Sequence, residues 1–149
     1  MTVMGIPKFQ HFFRASAGLR VDKDDLKRCR DFLNHKLYDM LVTAQATARA
    51  NLRDIILPMD LPITKGLQQC MHEFQKLDTD IGLLSLLAEM EVVPPTDLAL
   101  SEETETRLPQ VAGGLSMALA RTIRILDPGL QSAHSADWEE AFGVMDLLI

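Results

Sequence analysis

Apolar positions fall into helical steps over most of the chain. Leu26, Cys29, Leu33, Leu37, Met40, Leu41, Ala44 and Ala48 recur at intervals of mostly three and four, a single stripe on one helix face. Neither Gly nor Pro interrupts the chain between Gly18 and Pro58. The stripe therefore predicts a long helix over about 24–51, with Asp24 as its N-cap. Ahead of it, "IPKFQHFFRASAG" puts Phe9, Phe12 and Phe13 on one face of a short helix. Pro7 sits early in that helix, where it is tolerated, and Gly18 is a good stop. Behind it comes the apolar strip "RDIILPMD", residues 53–60. Asp60 is then expected to cap a third helix, "LPITKGLQQCMHEFQKL", with Pro62 in its first turn.

The second half follows the same order. "DIGLLSLLAEMEVV", about 80–92, predicts a short apolar helix, and "PPTDLALS" a loop. Ser101 should cap a second long helix with an acidic first turn, which suits its positive end. Leu108, Val111, Ala112, Leu115, Ala118, Leu119, Thr122 and Leu126 form its stripe. Pro109 falls inside that stretch and predicts a kink or a later start. "DPG" at 127–129 ends it, and a last helix over about 135–149 offers Trp138 and Phe142 to the core. The pattern is short, long, short, written twice and joined at "LDTD", 77–80. The expected fold is all-α, with residues 1–149 forming one compact domain from a first half, 1–76, and a second half, 77–149.

Charge changes this picture. The net charge is −6, which weighs against a nucleic-acid binder. Residues 1–76, however, hold 12 Lys/Arg and 8 Asp/Glu, a net of +4. Residues 77–149 hold 3 and 13, a net of −10. A split this sharp suggests that the halves face different partners, although the plainer reading is mutual attraction or drift. No run of apolar residues is long enough for a membrane span. The polar start "MTVMGIPKFQHFFRASAG" does not look like a secretory signal. A reducing cytoplasm is therefore expected, with Cys29 and Cys70 free.

Candidate chemistry is sparse. Cys29, His35, Cys70 and His72 lack the paired spacing of a zinc site, so no metal and no cofactor is expected. "AGGLSMALA", 112–120, has no lysine after its glycines and is not a phosphate loop. Its small residues Gly113, Gly114, Ser116 and Ala118 more simply admit a neighbouring helix. Asp78 with Asp80, and Glu89 with Glu91, read as solvated pairs. His11, His35 and His134 have no acid at a telling spacing. The expectation is a protein that is not an enzyme and takes no small-molecule substrate.

Short, long and short helices joined by two loops resemble the histone fold. In that fold two copies clasp head to tail, and each loop pairs with the other loop of its partner. The resemblance makes "LRV", 19–21, and "DIIL", 54–57, the strand segments of the first half's two loops, each set beside a loop of the other half. It makes Arg53 and Asp60, seven apart, the arginine–aspartate clamp of the second loop. "GLRVDKDDLKRCRDFLNHKLYDML" followed by "RDIILPMDLPITKGLQ" is similar to the bacterial single-chain histone-fold proteins of unknown function. In these, two histone folds are fused into an intramolecular pseudodimer. The second half lacks the clamp, since Leu130 stands seven before Asp137.

Two functions follow from the resemblance. One is a nucleoid-associated protein that holds double-stranded DNA without reading bases. It would use phosphate contacts from Lys8, Arg14, Arg20, Lys23, Lys27, Arg28 and Arg53. Only Arg107, Arg121 and Arg124 are basic in the other half. The alternative is a protein-interaction module that does not bind DNA. There the acidic half attracts a basic protein, or copies associate through the long and third helices.

Overall fold

The computed structural model describes residues 5–90 and 97–149. Six α-helices account for most of them: α1 Gly5–Ala17, α2 Lys23–Ala50, α3 Lys65–Ile81, α4 Leu84–Leu87, α5 Glu102–Leu126 and α6 Ser135–Leu148. Two short strands, β1 Ile55–Ile56 and β2 Ala99–Leu100, and a 3₁₀ turn at Pro58–Asp60 complete them. The chain is all-α in class, and among the described residues no helix is long and apolar enough to cross a membrane.

The long helix starts one residue before expectation, and Asp22 rather than Asp24 caps it. The Asp25 N–H donates to Asp22 Oδ1 at 2.8 Å, and the Asp22 N–H donates back to Asp25 Oδ2 at 2.9 Å. This reciprocal box outcompetes a lone Asp24 because it satisfies two otherwise orphaned donors. The third helix differs more. It begins at Lys65 under a Thr64 cap, whose hydroxyl accepts the Leu67 N–H at 3.2 Å. Asp60 therefore caps no α-helix, and Pro62 lies before the helix. α3 also runs on to Ile81, through the expected joint at 77–80, until Gly82 stops it at φ +73°.

The expected helix at 80–92 shrinks to the single turn of α4, with 91–92 outside the described residues. Asp78 ties the turn between α3 and α4. It is no solvated acid, because its carboxylate accepts the Leu83 N–H at 2.5 Å and the Leu84 N–H at 3.2 Å. Pro109 does not delay α5, which is continuous through it from Ser101's cap.

α5 is the hub. Val111 to Ala120 are buried all round, and α5 packs on α1, α2, α3, α4 and α6. A helix apolar on every face belongs at a centre. Gly113 and Gly114 let α3 come close. A Cβ on Gly113 would lie 2.4 Å from the Phe74 ring, and one on Gly114 would lie 2.3 Å from Met71 Cγ. Around this contact Phe12, Phe13, Phe74 and Trp138 meet edge-on or tilted, with centroids 5.3–5.7 Å apart. Trp138 is fully buried; Phe142 is only partly so, because it stacks at 4.4 Å on Phe32 at the α2–α6 seam.

Loop pairing fixes the topology. Arg20, after α1, bridges in parallel to Ser132, after α5. β1, after α2, pairs in parallel with β2, before α5, in the register Ile55 to Ala99 and Ile56 to Leu100. At each end of the molecule, a loop from one short-long-short set thus lies beside a loop from the other.

Candidate nucleic-acid interface

The Arg20–Ser132 bridge defines one pole. The Arg20 N–H donates to Gln131 O at 2.9 Å, and the Ala133 N–H donates to Arg20 O at 3.2 Å, so the Arg20 side chain is left exposed. Arg14 is exposed on the last turn of α1, one turn before the loop. Lys23 and Lys27 stand exposed on the first turns of α2. With Arg30, Ile6, Leu26 and Asp24 they line a groove of about 190 Å³ between the starts of α1 and α2. The steps from 23 to 27 and 30 keep Lys23, Lys27 and Arg30 on one side of α2. Among the described residues, no carboxylate lies within 4 Å of the charged groups of Arg14, Arg20, Lys23, Lys27 or Arg30.

The other expected phosphate contacts are engaged elsewhere. Arg28 pairs with Asp25 at 3.3 Å. Burial pushes the Asp25 carboxyl above its usual range, against the pull of its backbone bond to Asp22. Lys8 reaches the Gly82 carbonyl at 3.4 Å. Arg53 grips Asp60 with both terminal nitrogens, at 2.5 and 2.6 Å, which is the expected pairing. Asp60 also accepts the Leu57 N–H at 2.8 Å and is almost wholly buried. The Arg53 guanidinium holds the Asp60 carboxyl below the usual carboxylate range, with the Leu57 bond pulling the same way. Asp60 therefore closes its own loop, not a helix. Arg53 carries one charge already answered by another.

The β1–β2 pole is acidic. Ser101 N and Thr104 Oγ1 both donate to Ile56 O, at 3.0 and 2.7 Å. That fixes the first turn of α5, with exposed Glu102 and Glu103, beside the loop carrying Asp54. Arg49, at the end of α2, pairs with Asp97 at 3.0 Å. Further pairs cross the halves, Lys36 with Asp146 at 2.8 Å and Arg121 with Glu73 at 3.0 Å. Part of the charge split is therefore mutual attraction.

Arg124, by sequence only a stray cation of the acidic half, ties the first pole together. Its Nε donates to Ala17 O at 2.9 Å, Nη2 donates to the same oxygen, and Nη1 donates to Pro128 O and Leu130 O, both at 2.8 Å. Where the second half lacks a clamp, one guanidinium holds the ends of α1 and α5 and the following loop. His35 and His134 do have acids nearby, Asp39 at 3.5 Å and Asp137 at 3.4 Å, each on its own exposed helical turn. Among the described residues, no three His, Cys, Asp or Glu side chains gather as metal ligands would.

Comparison with known proteins agrees with this architecture. A crystal structure of a Thermus thermophilus protein superposes with a TM-score of 0.86 at 44% identity, covering 97% of each chain. A 1.9 Å crystal structure from Aquifex aeolicus gives 0.83 at 24% identity, covering all of both chains. An uncharacterized protein of Aquifex aeolicus (strain VF5) is 28% identical over 120 residues, 80% of this chain and 70% of that one. The family described as a domain of unknown function, DUF1931, matches residues 9–146. The chain belongs to the DUF1931 family.

Proposed function

We propose that the chain is an intramolecular pseudodimer of two histone folds, a non-enzymatic cytoplasmic protein that associates with nucleoid DNA. The reciprocal loop pairings, Arg20 with Ser132 and β1 with β2, support the fold reading, as does the bidentate Arg53–Asp60 clamp. One observation carries the function: Arg20 in the paired loop, Arg14 on the helical turn before it and Lys23 and Lys27 on the turns after it are all exposed, without a carboxylate partner among the described residues. Several free cations on one surface are what sequence-independent phosphate binding requires. The opposite pole, with Asp54, Glu102 and Glu103, repels phosphate, so DNA is held at one end rather than along a continuous track.

Duplex binding by fluorescence anisotropy on two unrelated sequences tests this. Equal affinity for both, weakened together by Arg20→Ala with Lys23→Ala, is expected. No binding to either duplex at low salt would leave the second reading, a protein-interaction module that the acidic pole favours.

A further inference from the structure

A second concavity lies where α1, α3 and α5 meet, and none of its lining residues belongs to the basic pole. It is an open cleft of about 440 Å³, a size that suits a small molecule rather than a macromolecule. Ala15, Leu77 and Met117 give it aliphatic walls, and Ser16, Glu73, Lys76 and Arg121 supply its polar groups. The residues come from both halves of the chain, so the cleft exists only once the halves have packed.

Its charges do not cancel. Arg121 gives a single nitrogen, Nη1, to both Glu73 oxygens, at 3.2 and 3.0 Å, and lies beside the Cys70 thiol. Lys76 is exposed, and among the described residues no carboxylate lies within 4 Å of its ammonium. Two cations therefore stand against one carboxylate in the lining. Ser16 adds a donor that nothing answers. Thr43, Thr47, Thr79, Thr106, Ser116 and Thr122 each donate their hydroxyl to the carbonyl four residues back. Ser16 makes no such bond; its Oγ is shut off from bulk solvent and has no hydrogen-bond partner among the described residues. A buried hydroxyl without a partner is a cost that a bound acceptor removes.

We propose that this cleft binds a small aliphatic carboxylate. The carboxylate sits between Lys76 and Arg121 and accepts the Ser16 hydroxyl, and the apolar body lies on Ala15, Leu77 and Met117. One negative charge balances the surplus of one positive charge in the lining, through charge-assisted bonds. A phosphate monoester, with roughly two charges, brings its excess against Glu73. The walls offer no aromatic ring to stack on, which favours an aliphatic body over an aryl one. The inference stands apart from the DNA reading, because it needs neither the basic pole nor nucleic acid.

Amide NMR of the full chain, titrated in turn with hexanoate, hexanamide and inorganic phosphate at neutral pH, provides the test. Hexanoate in the millimolar range is expected to shift the amides of Ser16, Lys76, Leu77 and Arg121 saturably. Hexanamide has the same body without the charge and should bind at least about fivefold more weakly. Phosphate should give no saturable shift in the cleft. Lys76→Gln and Ser16→Ala should each weaken hexanoate binding by about threefold or more. Lys76 is exposed and the Ser16 hydroxyl bonds nothing in the free protein, so neither change should lower its melting temperature. Weaker binding at unchanged stability then reports a lost ligand contact and not a lost fold. The absence of saturable shifts with hexanoate would overturn the proposal. So would hexanamide or phosphate binding as tightly as hexanoate, or hexanoate binding indifferent to both variants.

Discussion

Asp60 shows how much one buried carboxylate does. It accepts two guanidinium bonds and one backbone N–H within a single loop. Asp60→Ala strands the Leu57 N–H and the Arg53 guanidinium, and should cost about 1–3 kcal/mol by chemical denaturation. Asp60 also carries a pH signature. Its folded-state pKa is depressed, so the unfolded chain binds the proton more readily. Its stabilising share is full above the ordinary carboxylate pKa of about 4 and is lost as pH falls below that. Asp25 runs the other way, since its raised pKa means protonation relieves a cost. Melting temperature followed from pH 5 to 2 should fall less steeply for Asp60→Asn than for the wild type. An unchanged slope would show that the clamp has no electrostatic part. The thiols make a second case. Burial pushes the Cys29 pKa up to about 12 and also raises that of Cys70. Neither should react with an aromatic disulfide reagent at pH 8 until denaturant is added.

Among the helices, the α3–α5 contact has the least slack. Gly114→Ala would set a methyl 2.3 Å from Met71 Cγ and 3.1 Å from the Met71 backbone nitrogen. The side chain could swing away but the backbone could not. A loss of about 1–3 kcal/mol is expected, exceeding the gain of roughly 1 kcal/mol in helix propensity. Gly66, in the first turn of α3, has open space where an alanine methyl would sit, with nothing within 4 Å, so Gly66→Ala should stabilise slightly. Thermal unfolding of both variants checks the pair; equal and opposite shifts are not required, but the signs are.

The same elements show where sequence reading works. The long helices are legible from their stripes, and the Arg53–Asp60 pair from the resemblance to the histone fold. The helix at 80–92 is not, because an apolar run is silent about α3 running on to Ile81 and about Asp78 capping two amides after the turn at Gly82. The start of α3 is misplaced because Asp60 outranks Thr64 as a cap by residue type alone. Arg124 is missed because its partners are carbonyl oxygens, which every residue has and no sequence pattern marks.

As a whole, the molecule has unlike ends. α5 fills the middle, Arg14, Arg20, Lys23 and Lys27 mark one pole, and Asp54, Glu102 and Glu103 mark the other. The most direct measurement is the salt dependence of duplex affinity. Four cations at a single pole predict that log K falls with log salt at a slope of about −3 to −4. The triple variant Arg20→Ala, Lys23→Ala, Lys27→Ala should bring that slope to about −1. No duplex binding at low salt, or a slope untouched by the triple variant, would contradict a phosphate-binding pole.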